Sequence, residues 1–405
     1  MAPAHDYRFH FMHFMPFVHL PDDYDDRSKY PSTWVELPNT LYDPEKGNRL
    51  YDRYIGELVL ADKLGFDGVV VNEHHSTAYS MMAAPNLIAS ILARETKQAK
   101  ICVWGTPPTL VYPNRLAEEY AMIDVMSGGR LEVAFPLGTG MEYWANPVNP
   151  TTARARYRES IRLILRAWTE PGPFSHYGDF YTYRYLNVWP RPHQKPHPKC
   201  YIVGTGSPET IEFCAEMGFG YSVAFATHQT QIQINKELRA KAAGYGHTIR
   251  PDQTPLGVMA YVAETDEQAV EEYMPHIRWF FERGTRTSAR YLVPPGYVSL
   301  GQFRKRAALA GTTHGAFNWE NSIKNFRIVA GSPDTVAAKI VKWMEDTDST
   351  QLTCQLHLGD MPHWKTVKNL TMFAEEVIPR VRRAAPKINM PAAPAEKSTE
   401  LAGAK

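Results

Sequence analysis

Cysteine is scarce in this sequence: Cys102, Cys200, Cys214 and Cys354 are the only four in 405 residues. None forms a CxxC pair, so neither a disulfide framework nor a thiolate metal cluster is expected, and a reducing, cytoplasmic compartment fits best. An excess of charge of one sign is lacking too. Forty-four basic and 43 acidic side chains leave a formal net charge of +1, which removes the electrostatic reason to expect a nucleic-acid or membrane-surface partner. No run approaches the ~18 apolar residues of a membrane span. The first twenty residues carry His5, His10, His13 and His19 and lack the basic flank and apolar centre of a signal peptide. Proline is plentiful instead: 31 prolines outnumber 26 glycines, as expected of many long, stiffened connections. A soluble globular protein acting on something small is the first expectation.

Short apolar runs rich in β-branched and aromatic residues recur between helical patterns. The strand candidates are 7–14, 67–71, 100–104, 131–135, 200–204, 221–225, 256–262 and 351–358. Eight is the number a closed parallel barrel needs. Between them, Tyr157, Ile161, Ile164, Leu165 and Trp168 form one apolar helical stripe. Val367, Leu370, Ala374, Val377 and Ile378 form another, expected to end before Pro379. Leu116, Tyr120 and Ile123 line a third helix, opening after Pro113 and closing at Ser127-Gly128-Gly129. A doubly wound sheet would carry GxGxxG after its first strand; the nearest approach, at Gly204 and Gly206, lacks the third glycine and follows the fifth strand. The expected fold is therefore α/β, a (β/α)8 barrel spanning 1–383. Long excursions are expected, notably the lid-like 284–331 between strands seven and eight, together with a disordered Pro/Ala-rich tail at 384–405.

In such a barrel the active site lies at the C-terminal ends of the strands. There the second strand delivers Asn72, Glu73, His74 and His75, and the third Gly105, Thr106, Pro107 and Pro108. The fourth delivers Gly138, Thr139 and Gly140, and the fifth Gly206, Ser207, Pro208, Glu209 and Thr210. The Ser207-Pro208 helix start offers amide groups and a positive dipole end to a phosphate without an arginine. The Gly105 to Pro108 turn invites a cis peptide bond where backbone approaches a flat ligand. His193 and His197 read as part of a proline-stiffened loop, and 22–26 (DDYDD) as a solvated one. Met81 and Met82 fit either core filling or an apolar pocket.

Several segments, in order along roughly 7–381, resemble the bacterial luciferase-like flavin-dependent monooxygenases. They are LGFDGVVVNEHH (64–75), NRLAEEYAMIDVMSGGR (114–130), NVWPRPHQKPHP (187–198), VGTGSPET (203–210), VAGSPDTV (329–336) and FAEEVIP (373–379). The resemblance implies a barrel that uses reduced FMN and O2, with the flavin reduced by a separate NAD(P)H:flavin reductase, and a homodimer. By position, His74 matches the histidine beside the flavin's reactive edge, suited to stabilising a C4a-(hydro)peroxyflavin or moving its proton. Glu73 and His75 would orient it. Thr106, Gly138, Thr139, Gly140, Arg154, Tyr157, Gly206, Ser207, Glu209 (through its amide) and Thr210 match cofactor-binding positions.

Where the light-emitting members have a cysteine and an arginine after strand four, this chain has Pro136 and Leu137, which points to a non-luminescent branch. Tyr79, Met82, Trp144, Phe225 and His228 are the substrate-pocket candidates, and their character favours a small apolar or heteroaromatic substrate. Tyr291, Phe303, Phe317 and Trp319 are available to the lid. Two rivals remain: an F420-dependent oxidoreductase of the same fold, and a metal-dependent barrel hydrolase drawing on His10, His13, His74, His75, His228 and His357. Against the second, His10 and His13 are three apart on a strand and point to opposite faces. A third rival, a non-catalytic partner subunit, fits less well with complete histidine and phosphate turns.

Overall fold

The computed structural model describes residues 7–223, 226–297 and 327–384, with 320, 323 and 388. Eight parallel strands build the wall: β1 (Arg8–Met12), β2 (Gly68–Val71), β3 (Lys100–Val103), β4 (Leu131–Pro136), β7 (Lys199–Gly204), β8 (Gly220–Val223), β9 (Leu256–Val262) and β11 (Gln351–Gln355). Ladders join them in the order β9-β11-β1-β2-β3-β4-β7-β8. All eight coincide with the runs the sequence marks. Helices α1 (Pro44–Lys63), α2 (Pro85–Glu95), α3 (Pro113–Met126), α5 (Ala153–Thr169), α6 (Pro208–Met217), α7 (His228–Gly244), α8 (Asp266–Trp279), α10 (Pro333–Thr347) and α11 (His363–Met372) connect them, and this is a (β/α)8 barrel with long excursions.

Strand periodicity sorts side chains between two layers. Phe9, Phe11, Val69, Val71, Ile101, Val103, Val133 and Phe135 face outward into the core beneath the helices. Alternate positions, Val70, Cys102, Ala134 and Tyr201, fill the barrel interior together with Trp104. Polar residues join them at the N-terminal end of the interior: buried His10 lies 3.5 Å from Cys102 Sγ and 3.3 Å from Gln351 Nε2. Met12, one register position higher on β1, belongs to the floor of the mouth. His13, just beyond β1, points the other way and bonds Glu57 of α1 at 2.9 Å. The four cysteines are buried and free.

Three excursions depart from their sequence reading. Within 169–199 the chain makes an antiparallel hairpin, β5 (Phe174–Tyr177) and β6 (Thr182–Leu186). Asp25, in the acidic run, is bound by Arg283 and Arg286 at 2.5 and 3.3 Å, which ties that loop to the end of α8. The C-terminal helix does not stop at Pro379. A π turn, Phe373–Val377, precedes α12 (Ile378–Ala384), and its altered bonding pattern accommodates the missing proline N–H. A further strand inside the long insertion, β10 (Ile328–Gly331), pairs parallel with the C-terminal half of β9. Only the first part and the end of the lid segment are described; Phe303, Phe317 and Trp319 lie outside the described residues, as does most of the tail. Among the described residues, no helix is long and apolar enough to cross a membrane.

Candidate active site

The C-terminal ends of the wall strands enclose a cavity of about 310 Å³, at the small end of the range for ligand sites. Its floor and apolar walls are Met12, Phe14, Trp104, Pro107, Leu137 and Met259. Gly105 is required by the close approach of two strand ends: a Cβ there would lie 2.0 Å from the Glu73 amide nitrogen. Turn geometry around it is all trans; the cis peptides among the described residues are at Pro173, Pro190 and Pro196, not between Gly105 and Pro108. The β4 exit turns through Gly138 at φ +96°, and Tyr297 donates a hydrogen bond to its carbonyl at 2.5 Å.

At one side of the cavity stands His74. Its Nδ1 lies 3.1 Å from Glu142 Oε1, supplied by the short helix α4 (Gly140–Ala145). Trp34 and Tyr79 set their rings edge-on to it, 5.0 and 5.1 Å away. The imidazole is thus packed against two neighbouring rings, themselves 5.0 Å apart, and held at one nitrogen. Glu73 also lines the cavity, and it is bound by His75 at 2.9 Å. Burial pushes the Glu73 carboxyl up, partly offset by the His75 hydrogen bond. That same bond outweighs burial at His75 and keeps the imidazole charged to higher pH than usual. His75 itself lies behind the wall.

On the other side, β7 leads through Gly204 and Thr205 into α6. Ser207 is the N-cap residue and Pro208 occupies the first helical position, but the serine does not cap the amides. Its Oγ instead lies 2.7 Å from Thr210 Oγ1. Ser207, Thr210 and Arg154 line the cavity here. So does Arg327, at 5% exposure: the sequence reading named Arg154 among the cofactor positions but not Arg327. A band of buried polar atoms on the cavity lining finds no partner among the described residues: both amide atoms of Asn72, Trp104 Nε1, Thr353 Oγ1, Gln355 Oε1, Glu142 Oε2 and Arg327 Nη1. Buried polar groups are ordinarily satisfied, so this band calls for a ligand with donors and acceptors along its edges.

Of the sequence candidates, Glu73, His74, Tyr79, Gly138, Thr139, Arg154, Ser207 and Thr210 line the cavity. The others do not. Tyr157 is buried under the wall and donates to the Phe135 carbonyl at 2.7 Å. Met82 is 1% exposed within the helix-side core. Thr106 is buried behind Gly105 and Pro107. Trp144 is 47% exposed and meets Tyr291 edge-on, and His228 bonds Asp346 at 3.0 Å on the α7–α10 side. Gly140 opens α4 beneath the carbonyls of Tyr291 and Leu292. Gly206 bonds its amide to the Tyr221 hydroxyl, and Glu209 accepts from Arg158 at 3.5 Å. Phe225 lies outside the described residues. Asn72 was placed at the mouth without a role; Glu142, Gln355 and Arg327 were missed. Only Glu142 had a sequence cue, its place in the glycine turn.

The histidines of the metal rival are dispersed. His10 is inside the barrel, His74 and His75 at the mouth, His228 among helices. His13, Glu57 and His357 do meet, but the two imidazoles stack at 4.3 Å and 20°, so no single ion lies in both ring planes, and Arg53 already holds Glu57 at 2.7 Å.

The fold is a parallel barrel whose mouth carries a histidine–carboxylate pair and a serine- and arginine-lined helix start on one cavity. The chain belongs to the luciferase-like monooxygenase family, whose model matches residues 39–350. An uncharacterized protein of Sinorhizobium fredii is 25% identical over 344 residues, 83% of this chain and 94% of that one. The oxygenase component of a flavin-dependent trigonelline monooxygenase from Acinetobacter baylyi is 26% identical over 244 residues, 56% of this chain and 63% of its own length. Among solved structures, the oxygenating constituent of 3,6-diketocamphane monooxygenase from Pseudomonas putida, in complex with FMN, superposes with a TM-score of 0.69 at 21% identity. That match covers 95% of this chain and 99% of that one. An F420-dependent secondary alcohol dehydrogenase shares the fold at a TM-score of 0.65 and 16% identity, over 93% and 99% of the two chains. Family membership replaces the hydrolase reading.

Proposed function

We propose that this chain is the oxygenase component of a two-component system that takes reduced FMN from a separate reductase and uses O2 to monooxygenate a small organic substrate. The observation that carries this reading is a single cavity with His74 and Glu142 at one side and Ser207, Thr210 and Arg154 at the other, linked by unsatisfied polar atoms on an apolar lining. That donor set suits a flat heteroaromatic ring with polar edges and a phosphate tail. Reduced flavin, when bound, supplies the electrons that activate dioxygen.

The phosphate would be held by the Ser207 and Thr210 hydroxyls, the Glu209 amide in the first turn of α6 and the Arg154 guanidinium. The amide of Asn72 and the indole N–H of Trp104, both buried without a partner among the described residues, would serve the ring's polar edge. His74 would hold or deliver a proton at the reacting edge, its ring fixed by Glu142, Trp34 and Tyr79. Phe14, Met12 and Met259 exclude water, and Tyr297 closes over the β4 turn. Tyr79 stands on the substrate's side.

His74→Ala tests the assignment. Flavin affinity should stay within about threefold of wild type, while the share of reduced flavin lost as hydrogen peroxide rises and product yield falls about 10²-fold or more. Unchanged yield would refute the role. Absorbance titration with FMN and with F420 separates the two cofactors: the reading requires FMN to bind the more tightly.

A further inference from the structure

We propose that Arg327 anchors an anionic oxygen group, a carboxylate or its chemical equivalent, carried by the substrate. The assignment rests on the flavin reading above and adds the substrate's charge to it. Arg327 immediately precedes β10 and lines the cavity together with Ser222, Gly257 and Met259. Two of its nitrogens are engaged by neutral acceptors: Nε donates to the Gly257 carbonyl at 2.8 Å and Nη2 to Gln231 Oε1 at 3.3 Å. Nη1 is buried with no partner among the described residues. Burial alone pushes its pKa down to about 10; no acid offsets it.

A cation out of water and without a counter-charge is costly, and such groups are ordinarily paired. Of the acids lining the same cavity, Glu73 is held by His75 and Glu142 holds His74 through one oxygen, and neither acts as a counter-charge to Arg327. The insertion brings no remedy. Residues 284–331 contain seven lysines and arginines against one acid, Glu320. Of these cations, Arg286 and Arg290 are spent on Asp25 and Glu36. Arg327 is left lining the cavity as a buried guanidinium with one nitrogen unpaired, a group that a carboxylate satisfies. The flavin phosphate is the other oxyanion at hand. Its proposed seat, however, is the β7–α6 turn, whereas Arg327 stands across β8, braced by Gln231 of α7 and Gly257 of β9.

The test uses the full chain loaded with FMN and three matched pairs of probes: nicotinate with nicotinamide, benzoate with benzamide, and hexanoate with hexanamide. Binding is read by calorimetry and by flavin fluorescence. In wild type at least one carboxylate should bind about ten- to a hundredfold more tightly than its amide. Arg327→Gln should erase that preference and Arg327→Lys keep part of it. The preference for FMN over riboflavin should be the same in wild type and Arg327→Gln. No carboxylate preference in any pair overturns the proposal, as does a preference that survives Arg327→Gln. If Arg327→Gln removes the FMN-over-riboflavin preference instead, the anion is the flavin's phosphate and the substrate assignment falls. Should Arg327→Gln not fold, the wild-type pairs and Arg327→Lys still decide. Wild-type chain that binds no FMN would sink the flavin reading itself, a distinct result.

Discussion

In the proposed function His74 depends on a residue 68 positions away, Glu142. Glu142 fixes the imidazole at 3.1 Å while its second oxygen, buried and unpartnered, faces the same region. Glu142→Ala should therefore act through His74. Flavin affinity is expected to stay within a few-fold and product yield per reduced flavin to drop about tenfold, with Glu142→Gln falling between. Equal losses in flavin affinity and yield would show a folding role instead. Position after the second strand made Glu73 and His74 legible in the sequence, because a barrel sends every such turn to one mouth. Glu142 was less so: a glutamate one turn into a six-residue helix carries no signature of what it faces. The resemblance made Tyr157 a cofactor position, although its place on an apolar helical stripe already pointed to the core where it lies; Met82 fitted core or pocket, and spacing does not say which.

Among the elements, the turn from α3 into β4 shows how a motif can be structural. Arg130 ends the SGGR segment and makes five side-chain hydrogen bonds, to the carbonyls of Ser127, Ala93, Thr96 and Ala99 and the hydroxyl of Thr96. It ties the ends of α2 and α3 to the start of β3. Arg130→Ala should cost about 2–4 kcal/mol, since several carbonyls lose a charged donor at once, with flavin affinity unchanged at temperatures where the variant is folded. Denaturant midpoints and a flavin titration check both halves. The eight wall strands were legible because parallel strands buried on both faces read as nearly unbroken apolar runs. β10 was not, because a four-residue strand inside a long insertion has too little pattern to stand out. The helix beyond Pro379 was not either, since the rule that proline ends a helix takes no account of a π turn placed before it.

On the scale of the whole molecule, buried histidines make the fold sensitive to acid. Burial lowers His10 from 6.5 to about 4. Burial, then the charge of His13, puts His357 well below its usual value. A group whose folded pKa is depressed gives stability that is complete above its unfolded pKa and lost as pH falls toward the folded one. Stability should therefore decline between about pH 6.5 and 4, by about 3 kcal/mol from His10 alone. Burial would raise Glu57, but the His13 hydrogen bond and the charges of His357, His13 and Arg53 outweigh it and hold the carboxyl low. Its contribution is lost on further acidification, below the ordinary carboxylate range. A melting temperature level from pH 7 to 4.5 would contradict this account.

The junction of β1 with β11 pairs Arg8 with Gln351, nearly the full span of the described chain. The wall can acquire this ladder only after the last strand has been made, so contacts within the first half have no such wait. Barrel closure should then be a late event in folding, with the bare edge of β1 exposed until it happens. A ribosome-bound chain halted before residue 351 would present that edge to its neighbours, and aggregation of such truncated chains, more than of the finished protein, is the consequence.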